Sequence, residues 1–141
     1  SARAALAGAR RLALVLGGGA MQKFGKELPE QQEVLAAQSD IIIDIFLGES
    51  ALLRTLKAEA KGTNVALMTD LTLLFINDSL VRMEQHARTA LAAMATGDDL
   101  KGRLELARRL LRWTPINTVE IRRRVAASLG ERGGYSAMLA V

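Results

Sequence analysis

The chain of 141 residues has no cysteine, a single histidine and two prolines, and aromatic residues make up only 4% of it. Without cysteine there is no disulfide, no thiolate nucleophile and no thiolate-bound zinc, a composition that suits a reducing cytoplasm. One imidazole, His86, leaves little scope for histidine catalysis or a histidine-rich metal centre. Scarce aromatics disfavour stacking platforms for bases or sugars, so nucleic acid is not an expected partner. No apolar run approaches the roughly 18 uncharged residues of a spanning helix. The expected location is the cytoplasm, with peripheral contact to a membrane as the closest approach to lipid.

Half of the residues are hydrophobic, enough for one domain over 1–141 with a core that needs neither metal nor disulfide. The first 26 residues hold Arg3, Arg10, Arg11, Lys23 and Lys26 and no acid, a superficial likeness to a mitochondrial transit segment. With serine in place of an initiating methionine, the expectation is instead that Ser1 follows residues of a longer chain. The net charge of +4 is unevenly placed. Between Lys101 and Arg132 nine Lys/Arg face three acids, so the C-terminal third is a candidate contact surface for an anionic partner, with Arg108, Arg109, Arg112, Arg122, Arg123 and Arg124 as its cations.

Helical periodicity runs through the whole sequence. An Ala/Leu stripe from Ala2 to Leu16 is expected to weaken at Gly17, Gly18 and Gly19. Pro29 suits the first turn of a second helix that reaches about Lys61, where Gly62, Thr63 and Asn64 supply a stop. Leu73, Ile76, Leu80, Met83, Ala87, Ala90 and Met94 alternate spacings of three and four along a third. Asp98 and Asp99 open a fourth, kinked at Pro115 and continuing to Gly130, with Gly133 and Gly134 releasing a tail. These patterns predict an all-α, up-down antiparallel four-helix bundle with long second and third helices.

Within the second helix, Leu35, Ile42, Glu49 and Leu56 recur every seven residues, with Ile45, Phe46, Leu52 and Leu53 between them. That stripe is the expected core face. Asp40, Asp44 and Glu49 are then candidate buried polar groups, needing hydrogen bonds or ion pairs from Arg54, Arg82 or Arg88. A paired-metal site would need a Glu three residues before His86, and Met83 is there instead. Leu12 to Ala20, LALVLGGGA, looks like a strand feeding an oxyanion loop, as in patatin-like lipases. Gly48-Glu49-Ser50-Ala51-Leu52, however, lacks the second glycine of a nucleophile elbow. Trp113, before Thr114-Pro115, is expected to plug the kink.

Several segments together resemble a family. Lys23-Phe24-Gly25, Glu33-Val34-Leu35-Ala36-Ala37, Ser39-Asp40-Ile41, Ile43-Asp44-Ile45 and Glu49-Ser50-Ala51-Leu52-Leu53-Arg54 are similar to the extra C-terminal helical region of bacterial acyl-CoA dehydrogenases related to the mitochondrial very-long-chain enzymes. Thr114-Pro115-Ile116-Asn117-Thr118 and Glu131-Arg132-Gly133-Gly134-Tyr135 resemble the end of such chains. The resemblance implies a parent enzyme that binds FAD and oxidises acyl-CoA to the 2,3-enoyl-CoA. It implies no catalytic, cofactor or metal residue here, since no position matches the catalytic or flavin motifs. The implied roles are docking to the parent dehydrogenase domain, homo-oligomerisation or peripheral membrane contact. The alternative is a free-standing all-α interaction module with an anionic partner.

Overall fold

The computed structural model describes residues 1–131, so the expected break at Gly133-Gly134 and the tail lie outside the described residues. Among those described there are five α-helices and no strand: α1 (Ala2–Phe24), α2 (Gln32–Lys61), α3 (Val65–Met94), α4 (Gly97–Leu110) and α5 (Thr118–Glu131). A 3₁₀ turn, Gly25–Glu30, joins α1 to α2. The protein is an all-α bundle.

The glycine triplet does not weaken α1 as expected. Ser1 Oγ caps the helix by accepting from the Ala4 amide at 3.2 Å, and helical backbone then runs unbroken through Gly17, Gly18 and Gly19 to Phe24. Burial of Leu12, Leu16 and Ala20 on either side outweighs the propensity cost. Gly25, at φ 51°, is where the helix stops. Pro29 falls within the 3₁₀ turn, not in α2, because Gln31 leaves helical dihedrals (φ −89°, ψ 67°) before α2 begins. At the far end Gly62 takes the left-handed conformation (φ 69°) and its amide reaches back to the Ala58 and Glu59 carbonyls, the stop that its sequence predicts.

α1 and α2 run antiparallel, since Gln38 pairs with Ala13 and Glu49 with Arg10. So do α2 and α3, where Thr55 meets Thr72, Asp44 meets Arg82 and Asp40 meets His86. Leu6, Leu12, Leu16, Ile41, Ile45, Ile76, Leu80, Met83, Ala107 and Leu111 form the shared core. Two glycines set how closely helices approach. A Cβ on Gly48 would lie 2.8 Å from Leu6 Cδ2, and one on Gly8 only 1.9 Å from the Leu110 carbonyl oxygen.

The buried face of α2 differs from the expected one by a single residue. Val34, Ile41, Gly48 and Thr55 are inside, whereas Leu35, Ile42 and Leu56 are 36%, 50% and 39% exposed. Phe46 and Leu53 are more exposed still, at 68% and 67%. Periodicity marks an apolar stripe but cannot say which of two stripes faces the core. The small Ala37, Gly48 and Ala58 decide it, because only their side lets α1 and α3 come close.

The predicted kinked fourth helix is two helices. Pro115 has no N–H to donate and disfavours helical dihedrals at Thr114, so the chain is non-helical from 112 to 117. Asn117 then starts α5, its Oδ1 accepting from the Glu120 amide at 3.1 Å. Asn77 of α3 anchors this connection, accepting from Trp113 Nε1 at 2.9 Å and from the Ile116 amide at 3.3 Å.

Candidate functional site

The carboxylates singled out in α2 meet three different surroundings. Asp44 is buried and takes a two-pronged contact from Arg82, at 3.1 and 3.2 Å. Arg82 also lies 5.5 Å from the centre of the Phe75 ring. Glu49 is half-buried, and its partner is none of the arginines expected: Arg10 of α1 grips both carboxylate oxygens, at 2.5 and 2.6 Å. Those hydrogen bonds, aided by the arginine's charge, hold the Glu49 carboxyl below its usual range against the opposing effect of burial, and they raise the Arg10 pKa. Asp40 is exposed, contrary to the burial expected, with His86 Nε2 3.7 Å away. No group of three or more His, Cys, Asp or Glu that could hold a metal ion exists among the described residues.

The cations of the C-terminal third are only partly free. Arg122 reaches Asp78 at 2.8 Å, and Arg124 grips both oxygens of Asp70 at 3.0 and 3.1 Å. Hydrogen bonding to Asp70 raises the Arg124 pKa despite partial desolvation. Two positions of α5 thus span eight of α3, fastening the last helix with Ile121 buried between. Arg108 stands 3.7 Å from Glu84. Arg109, Arg112 and Arg123 have no ion-pair partner among the described residues and remain available to solvent or to an anion. The groove beside Arg108 and Arg109, about 480 Å³, is also lined by Glu84 and Glu105, which offset its positive charge.

Sequence reasoning missed Arg10, Asp70, Asp78 and Asn77. Each pairs across 36 residues or more, beyond any local spacing signal. It also missed a second groove, about 420 Å³, between α1 and α2, lined by Arg10, Ala13, Leu14, Gln38, Ile42 and Phe46 among others. Gln38 donates through Nε2 to the Ala13 carbonyl at 2.8 Å, and Gly17 gives it room, since a Cβ there would lie 3.2 Å from that nitrogen. The Gly17 to Gly19 amides belong to the helix ladder, which removes them from any oxyanion or phosphate cradle.

These features define an all-α module whose ion pairs mostly clamp one helix to another. Residues 8–109 match the family model described as acyl-CoA dehydrogenase, C-terminal domain. A Bacillus subtilis (strain 168) protein described as a probable acyl-CoA dehydrogenase is 38% identical over 130 residues, which cover 91% of this chain and 22% of that protein. The crystal structure of a Bacillus anthracis acyl-CoA dehydrogenase complexed with FAD superposes with a TM-score of 0.88 at 34% identity, over 93% of this chain and 23% of that one. The chain belongs to the acyl-CoA dehydrogenase C-terminal domain family. It spans between a fifth and a quarter of the length of these relatives.

Proposed function

We propose that this chain is the non-catalytic C-terminal helical domain of an FAD-dependent acyl-CoA dehydrogenase of the cytoplasm, and that its role is to pack against the body of the enzyme. The observation that carries the reading is the match over residues 8–109 together with a superposition that covers only 23% of a flavin-containing relative. The described residues offer no Rossmann-type dinucleotide cradle. A Rossmann-type cradle uses glycine amides free at a strand-to-helix turn, whereas the only glycine cluster among the described residues lies inside α1. The carboxylates fit the same reading: Glu49, held below the usual range by Arg10, is a poorer proton acceptor than a free glutamate. FAD, substrate and the base that removes the α-proton are assigned to the rest of the polypeptide.

Among the described residues no helix is long and apolar enough to cross a membrane. Attachment to the enzyme body is therefore preferred to insertion. The test is the full-length polypeptide that carries this sequence. It should purify yellow and reduce an electron acceptor with a saturated acyl-CoA. Asp44→Asn and Glu49→Gln should change kcat by less than about twofold, against the roughly 10²- to 10⁴-fold loss expected on removing a general base. A colourless, inactive full-length protein, or a collapse of turnover in either variant without loss of fold, would overturn the proposal.

A further inference from the structure

α2 carries two apolar faces, and only one is used inside the domain. The outward one consists of Leu35, Ile42, Phe46 and Leu53, spaced 7, 4 and 7 along the helix and 36% to 68% exposed. On α1, Leu14 (77% exposed) and Met21 (67%), seven residues apart and so on one side of that helix, extend the surface. Between the two helices runs the 420 Å³ groove, with the small side chain of Ala13 on α1 and Phe46 on α2 among its lining. The exposed apolar area of these six side chains is on the order of 600 Å², at or above the largest patch on an ordinary monomer. Leu35 to Leu53 alone extends about 27 Å along the helix.

We infer that this α1–α2 face is the surface on which the flavin-binding body of the same polypeptide docks, an inference that rests on the function proposed above. Covalent attachment favours that occupant over a lipid surface or a second copy. A covalently joined partner is favoured over a separate one at equal intrinsic affinity, because tethering raises its effective concentration to about the millimolar range. More than three quarters of the length of each relative lies outside the matched stretch, which provides a large covalently attached surface. The shape, a concave strip between antiparallel helices, suits a helix or ridge presenting apolar side chains at a spacing of three and four residues.

Hydroxyl-radical footprinting of the full-length enzyme tests the burial. Normalised for intrinsic reactivity, Leu14, Met21, Phe46 and Leu53 should be protected severalfold relative to Val81 and Val119, which are 65% and 59% exposed on other faces. Equal reactivity of the two groups overturns the inference. Replacement of Phe46 by the photoreactive benzoylphenylalanine, again in the full-length chain, identifies the occupant. Adducts at single-chain mass that join position 46 to residues outside this domain support it. Adducts at two-chain mass, or adducts formed only with added phosphatidylglycerol vesicles, replace the body with a second copy or with lipid and overturn it. Flavin content and turnover of the same preparation separate the two levels. If both are lost, the dehydrogenase reading itself fails; if both persist while Phe46 reacts freely, only the docking surface is wrong.

Discussion

Gly8 and Gly18 sit in one helix and make opposite demands on a methyl group. A Cβ at Gly8 would lie 1.9 Å from the Leu110 carbonyl oxygen, and backbone cannot swing aside as a side chain can. At Gly18 nothing lies within 4 Å. Gly8→Ala should therefore destabilise the domain by about 1–3 kcal/mol, the usual cost of overpacking, whereas Gly18→Ala should stabilise it by roughly 0.5–1 kcal/mol through helix propensity alone. Urea melts of the two variants decide the matter, and equal midpoints would mean that α4 does not press on α1 at Gly8. The sequence draws attention to the triplet at 17–19, yet the glycine with the tightest contact stands alone among alanines. Its role depends on a carbonyl more than a hundred residues away, which no local pattern reports.

At the scale of elements, α3 is the strut to which the rest is tied. Its seam of Ile76, Leu80, Met83, Ala87, Ala90 and Met94 is buried as the three-and-four spacing predicts, with Leu73 only half-buried at its edge. Its polar positions do the fastening: Asp70 and Asp78 hold α5, and Asn77 holds the connection before it. Asn77→Ala strands the Trp113 indole N–H and the Ile116 amide together, at a cost of about 1–3 kcal/mol. Because Trp113 is the sole tryptophan, its emission is a direct readout. The expected result is a red shift and easier quenching by acrylamide, with the far-ultraviolet helical signal largely kept. An unchanged spectrum would show that the tryptophan is held by packing and not by Asn77.

For the molecule as a whole, the joint between α1 and α2 should give stability a dependence on pH. Glu49 has its pKa lowered in the fold by Arg10, so it binds protons less readily folded than unfolded. Its contribution is complete above the ordinary glutamate value of about 4.3 and is lost as pH falls from there through the lowered folded value. Thermal melts between pH 7 and pH 3 should show a loss on acidification that is smaller in Glu49→Gln, and smaller again in high salt. Identical acid profiles for the two proteins would dismiss the pair as a source of stability. Helix content, the stop at Gly62, the seam of α3 and the absence of thiol chemistry were all determined by the sequence alone, because each depends on residue type at spacings of one to four. Which face of α2 turns inward, which arginine answers Glu49 and how α5 is fastened were decided only by the tertiary structure. A helix with two apolar stripes is satisfied locally by burying either one, and the choice falls to Gly48 and the neighbouring small side chains, where α1 and α3 can approach closely.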